Sequence, residues 1–421
     1  MLRVEPPRAA RAAHDPILLA GADAVGRRIV RDAIWAGDRC TWMVWSSELF
    51  AGAWRVIYRT APPDLYDGLA GIALFLTHLV RHTGDPDQRA VRDGALRQLV
   101  RCAGDARPEP SAYTGALSAG WALARIGESL DDDALVENGI ALVDHALRTP
   151  FAPGALDVQS GRAGAIAPLL DLARRFARAE FVDVARRCGD EVVAAAEHDG
   201  DAALWSLAPG LATRNLLGFS HGAGGIAWAL LELAHVTGEA RYAATAQAAL
   251  RYERRWYSPE HGSWPDFRAA LPPGTPTHPL VWCHGGAGIG LSRLRILELL
   301  PDDAGVRAEL GAALASVRAM VAAQIRDGCT DQAYCHGMAG GFELLAACAE
   351  RFDDAELRAF VASTARALVE RYPRTRTPWP CGVMDAGETP SMMTGTAGIG
   401  YAFLRAHDPA AVPSVLVMAP P

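Results

Sequence analysis

The apolar positions of this chain fall into two alternating kinds of stretch. One kind is apolar almost throughout and opens on a G-x-x-G element. It occurs as YDGLAGIALFL (66–76), QSGRAGAIAPLL (159–170), SHGAGGIAWALL (220–231), CHGGAGIGLSRL (283–294), CHGMAGGFELL (335–345) and MTGTAGIGYAFL (393–404). A weaker version, TGALSAGWALARIG (114–127), stands between the first and second. The other kind is amphipathic and rich in Ala, Arg and Glu, as in AVRDGALRQLVRCAG (90–104) and DAELRAFVASTARALVERY (354–372). Apolar residues there recur with helical period, so these read as half-exposed helices with one apolar face. From Gly164 through Gly225, Gly288 and Gly340 to Gly398 the glycine elements repeat every 52 to 63 residues. That pitch holds two helices and their connections, so each repeat is expected to be a helical hairpin.

The expected fold is all-α. Seven inner helices, counting the degenerate unit, and seven outer ones would close into an α/α toroid as one domain over 1–421. Glycine at the helix start permits close backbone approach and turns the helix N-terminus toward an interior space. Segment 1–60 lacks the element, contains Trp42, Trp45 and Trp54, and is expected to cap the array. The proline-rich run PDFRAALPPGTPTHP (265–279) reads as a loop.

Composition narrows the class. Half the residues are hydrophobic and 21% charged, which suits a globular protein with a large core. A net charge of -7 argues against a nucleic-acid binder. Eight cysteines in 421 residues are too sparse for a disulfide framework, so reduced thiols and a cytoplasmic location are expected. The first residues hold no apolar run resembling a signal peptide, and no transmembrane segment is expected.

Candidate chemistry lies just before the glycines. The residue preceding the first glycine is Asp67, Ser160, His221, His284, His336 or Thr394. The one before that is Tyr66, Gln159, Ser220, Cys283, Cys335 or Met393. One backbone position therefore carries potential ligands in consecutive repeats, and in a ring of helices those side chains would converge at one end. Thiolate and imidazole together suit Zn²⁺. Two Cys and one His leave a tetrahedral ion one open position, as catalysis requires. His284 is placed like His336; as a fourth ligand it would close the site, so it is read as a neighbour of the metal. The remaining cysteines read as buried hydrophobes.

The ordered set GFSHGAGGIAWALLELA, SWPDFR, WCHGGAGIGLSRL, YCHGMAGG and MTGTAGIGYAFLR resembles the LanC-type cyclase family of lanthionine synthetases. LYDGLAGIALFLTHL and SWPDFR are most similar to the cyclase half of class II (LanM-type) synthetases. The resemblance runs from about residue 20 to the end. It implies an α/α toroid with zinc held by Cys283, Cys335 and His336, a catalytic histidine at His221 and an active-site aspartate at Asp157. Where the family has an arginine, four residues before the first zinc cysteine, this chain has Pro279; Arg268 and His278 are the nearby substitutes. The implied reaction is addition of a peptide cysteine thiolate to dehydroalanine or dehydrobutyrine, giving a thioether ring in a dehydrated precursor peptide. A separate dehydratase or kinase/lyase enzyme is the implied partner. Two other functions stay open: adding glutathione to dehydroamino acids, and a catalytically inactive zinc-bearing toroid that binds a precursor peptide or partner synthetase. A prenyltransferase-like toroid would need a carboxylate ligand, and none stands beside Cys283 or Cys335.

Overall fold

The computed structural model describes residues 15–50, 53–207, 212–268, 277–375, 377–383 and 386–420. Positions 269–276 of the proline-rich loop and the Trp54 side chain lie outside that description. The chain is all-α in class. Helix α1 (Pro16–Arg31) comes first, and glycine-headed and amphipathic helices then alternate: α2 (Leu69–Thr83) and α3 (Pro86–Cys102), α4 (Ala116–Leu130) and α5 (Asp133–Ala146), α6 (Arg162–Arg175) and α7 (Glu180–Ala194), α8 (Ala223–Thr237) and α9 (Ala240–Arg254), α10 (Gly286–Leu299) and α11 (Ala304–Asp327), α12 (Met338–Arg351) and α13 (Ala355–Thr375), with α14 (Thr396–His407) last. The seven expected glycine-headed helices are thus all present, the degenerate repeat included.

The two kinds of helix start differently. Amphipathic helices α1, α3 and α5 open on side-chain caps, though α7 and α9 do not: Asp15 accepts from the Ile17 amide, Asp85 from Asp87 and Gln88, and Asp132 from Leu135. Glycine-headed helices have no such cap. Their first amides instead reach the carbonyl seven residues back, as from Gly225 to Gly218 at 3.1 Å and from Gly288 to Val281 at 3.3 Å. The chain must fold tightly over its own turn to do this. A Cβ on Gly225 would lie 1.9 Å from the Phe219 carbonyl oxygen, which is why glycine stands there. These helix N-termini are therefore largely satisfied by their own backbone.

Burial separates the layers. The glycine-headed helices are buried on nearly every face, Leu69 through Val80 of α2 without a break. The amphipathic helices bury one stripe, such as Val306, Leu310, Ala313 and Val317 of α11. Helix α11 is long and apolar enough to cross a membrane by length and composition alone, with a mean hydropathy of 1.2.

Close Cα approach divides the chain into two compact units. The first comprises 1–109, 113–149 and 321–413, the second 110–112, 150–320 and 414–421. In the first, α12 packs on α14, α14 on α2 and α2 on α4. Helix α1 lies against α13 and α14. The segment before residue 60, expected as a cap, thus supplies α14 with an outer helix. Two antiparallel hairpins follow it, β1 (Ile34–Ala36) with β2 (Arg39–Thr41) and β3 (Met43–Phe50) with β4 (Ala53–Thr60). Trp42 is buried and its indole donates to Ile29 of α1, while Trp45 packs on Tyr58 across the second hairpin. In the second unit α6 packs on α8 and α8 on α10. A short hairpin, β5 (Glu197–Asp199) with β6 (Ala202–Leu204), follows α7 there.

Candidate functional site

Within each unit the turns before the glycine-headed helices are stitched together by backbone. In the second unit the Val158 and Gln159 amides donate to the Ser220 carbonyl at 3.1 Å, and the Ser220 amide to Cys283 at 3.3 Å. In the first, Cys335 donates to Met393 at 2.8 Å, Met393 to Tyr66 at 2.9 Å and Tyr66 to Tyr113 at 3.0 Å. Val158 apart, these are the residues two before the glycine in successive repeats. Of the side chains that come next, His221 and His284 stack in the second unit, and Thr394 donates to Asp67 in the first.

The second unit also pairs side chains from two neighbouring turns. His221 Nδ1 lies 2.6 Å from Asp157 Oδ2, and Asp157 Oδ1 accepts the Ser160 amide at 2.8 Å. Asp157 thus both closes its own turn and orients His221. The first repeat repeats half of this, with Asp64 Oδ1 accepting the Asp67 amide at 2.9 Å. The His284 ring lies over that of His221, centroids 5.5 Å apart and planes 26° from parallel. His284 is only 2% exposed, and neither ring nitrogen has a hydrogen-bond partner. Burial, with the positive charge of Arg268 next, lowers its pKa to about 3, against the opposing pull of Asp266. Asp266 accepts from Arg268 Nη2 at 2.6 Å, from Nε at 3.0 Å and from the Arg268 amide at 3.0 Å. Burial pushes the Asp266 carboxyl up, but the hydrogen bonds and positive charge of Arg268 hold it below the ordinary range. Behind the His221 turn, the Gly218 amide donates to buried Glu253, which pairs with buried Arg293.

Of the two nearby substitutes for the missing arginine, Arg268 belongs electrostatically to this cluster. His278 stacks on His261 at 3.8 Å. Pro279 serves the fold: its carbonyl accepts from Gly286 and from Ser263 Oγ. A Cβ on Gly285, at φ +86°, would strike that oxygen.

In the first unit Cys335 is 3% exposed, and the Tyr66 hydroxyl donates to its sulfur at 3.0 Å. His336 Nε2 donates to the Gly382 carbonyl at 3.0 Å and lies 3.3 Å from Asp331 Oδ2. Those acceptors fix the proton on Nε2 and leave the Nδ1 lone pair for another group, the arrangement that orients metal-binding histidines. Beside them Asp67 accepts from Ser46 at 3.0 Å and Thr394 at 2.9 Å. Burial, then the charge of Asp67, raises the Asp64 pKa to about 7. Glu343 is buried with Arg405 3.6 Å away. Among the described residues no three His, Cys, Asp or Glu side chains are gathered closely enough to hold a metal ion. The donor chemistry nonetheless fits one, through the acceptor-held His336 ring and the hydrogen-bonded Cys335 sulfur. No disulfide joins any of the eight cysteines.

Sequence reasoning passed over Asp331, Tyr66 and Asp266 as participants. Tyr66 occupies the same repeat position as Cys335, and Asp266 lies within SWPDFR, so both carried a signal. Asp331 stands outside the repeated positions and carried none.

Comparison with known proteins bears on the same region. The profile of the family described as lanthionine synthetase C-like protein matches residues 59–417. Among solved structures, nisin cyclase is similar with a TM-score of 0.59 and 18% identity, over 82% of this chain and 88% of that one. An unsaturated glucuronyl hydrolase from Bacillus sp. GL1 gives a TM-score of 0.44 and 13% identity, over 85% and 96%. No curated protein matches by sequence. The nisin cyclase likeness is one of fold, and the family match covers most of the chain, glycine-headed repeats included: this protein belongs to the lanthionine synthetase C-like family.

Proposed function

We propose that this chain is a zinc-dependent lanthionine cyclase acting on a dehydrated precursor peptide, with its seven glycine-headed helices as the inner ring of an α/α toroid. The observation that carries the reading is the His221–Asp157 pair at 2.6 Å, in which the carboxylate oxygen not used by its own turn faces the imidazole of the neighbouring turn. The proposed zinc ligands are Cys283, Cys335 and His336. Zinc, when bound, supplies a site that keeps a peptide cysteine as thiolate near neutral pH.

The rest falls to side chains. Addition of the peptide sulfur to the β-carbon of dehydroalanine or dehydrobutyrine forms the C–S bond. The C=C electron pair moves onto the acyl group as an enolate. Protonation at the α-carbon completes the thioether, so the proton lost by the thiol is replaced on carbon. Asp157 holds the Nδ1 proton of His221 and orients the ring, leaving Nε2 to give and take the exchangeable proton. Asp331 and Gly382 would fix His336, and Tyr66 would stabilise negative charge on the Cys335 sulfur.

The test is thiol alkylation and mass spectrometry of the dehydrated peptide with and without protein. Loss of alkylatable cysteines faster than in the enzyme-free control supports the reading; equal rates sink it in favour of a peptide-binding scaffold. Replacing Cys335 by Ala should remove zinc and activity together. A full zinc equivalent in that variant would refute the ligand assignment.

A further inference from the structure

The proposed mechanism leaves His284 unused, and His284 is the most conspicuous unsatisfied group near the His221–Asp157 pair. It is 2% exposed, and both its ring nitrogens lack hydrogen-bond partners. A buried imidazole normally satisfies at least its N–H, because leaving a donor dry is costly. Its charged neighbours do not serve it. The Asp266 carboxylate is taken by the Arg268 guanidinium and amide. Asp157 is taken by His221 and the Ser160 amide. Nor is the ring remote from the chemistry. The Ser220–Cys283 backbone hydrogen bond sets the two turns side by side, and the imidazoles lie 5.5 Å apart between centroids.

We infer that His284 is a second catalytic imidazole, whose N–H holds the acyl oxygen of the dehydroamino acid while His221 serves the α-carbon. The inference rests on reading this chain as a cyclase. An acyl oxygen and its α-carbon are two bonds apart, roughly 2.4 Å by standard bond lengths. An acyl group beside the two rings can therefore present the oxygen to one and the α-carbon to the other. The oxygen gains charge as the sulfur adds, so a fixed donor there binds the transition state more strongly than the ground state. No proton leaves His284: the hydrogen bond strengthens, the enolate forms, and His221 delivers the proton to carbon. Asp266 and Arg268, locked to each other, would limit the ring's freedom to reorient.

The experiment uses full-length zinc-loaded protein and His284→Phe, which keeps an aromatic ring but has no donor. Its single-turnover ring closure should be about 10²-fold slower, the scale of losing one oxyanion donor, with little change in KM and the same zinc content. His284→Gln restores an N–H and should recover part of the rate. A second readout does not need turnover. A dehydrated peptide with its cysteines replaced by alanine, and ¹³C at the dehydroalanine carbonyl, should show that carbonyl stretch at lower frequency on wild type than in solution. On His284→Phe the shift should vanish. Wild-type rates in His284→Phe, or an unshifted carbonyl on wild type, overturn the inference. Loss of zinc in the variant overturns it too, making His284 a metal ligand. Should His284→Phe fail to fold, the glutamine variant and the wild-type carbonyl shift decide. If wild type closes no ring faster than the enzyme-free control, the cyclase reading fails first, and the carbonyl shift still reports whether His284 grips the acyl group.

Discussion

At the scale of single residues, His221 is where the proposed cyclase reading is tested. Addition of sulfur leaves negative charge that must be protonated, and a positioned acid is worth about 10²–10⁴-fold. His221→Asn should keep its fold and zinc yet close rings at least about 10²-fold more slowly than wild type, measured by thiol alkylation against an enzyme-free control. A variant as fast as wild type would place the acid elsewhere. Asp157 serves its own turn as well as the histidine. It does both jobs, one oxygen on the Ser160 amide and the other on His221. A sequence can show that an aspartate precedes a helix, but not that its second oxygen faces a histidine 64 residues away.

The element that defines this fold is the glycine-headed helix, and its physics is local. The helix begins by folding back onto the carbonyl of its own turn, so the second glycine of G-x-x-G has no room for a side chain. Gly225→Ala would set a Cβ 1.9 Å from the Phe219 oxygen. The turn carrying His221 would have to open, at a cost of about 2–4 kcal/mol. Gly311 is a natural control, since a Cβ there meets nothing within 4 Å. It lies inside α11, and Gly311→Ala should stabilise by about 0.5–1 kcal/mol through helix propensity. Thermal melts of the two variants should move in opposite directions. If both rise, the glycine elements are not set by close approach.

For the whole molecule, stability is tied to pH through buried ionisable groups. Burial, with Arg125 and Arg81 next, lowers the His78 pKa to about 3, and its Nδ1 has no partner. Unfolded, the same imidazole takes a proton near 6.5. Between those values the unfolded chain holds the extra proton, so stability falls as pH drops through the window. Asp64 opposes this: its folded pKa of about 7 keeps a proton that the unfolded chain releases, so its effect weakens the fold as pH rises from about 4 toward 7. A comparison with one group removed isolates the sign. His78→Leu should gain on wild type by about 1.4 kcal/mol per pH unit as pH falls from about 6 to 4, read from denaturant unfolding. A gap independent of pH would mean that His78 is solvated or charged in the fold.

Much of this protein is written in its sequence, for a definable reason. The G-x-x-G spacing, the apolar runs after it and the amphipathic stretches between depend on contacts within a few residues, so they predict seven glycine-headed helices and their alternation with half-exposed ones. Family motifs single out His221, Asp157, Cys283, Cys335 and His336 for the same reason, each lying in or next to a repeated turn. Helix α1 was less legible, because its Gly21 and Gly26 make no G-x-x-G and its role comes from packing on α13 and α14. What only tertiary structure decided is which side chains meet across turns: Asp157 with His221, Tyr66 with Cys335, Asp331 with His336, and His284 left dry beside His221. Backbone hydrogen bonds between repeats, such as Ser220 to Cys283 and Met393 to Tyr66, make those meetings. They join residues far apart in the chain, and neither composition nor periodicity encodes which atom of one turn will face which atom of the next.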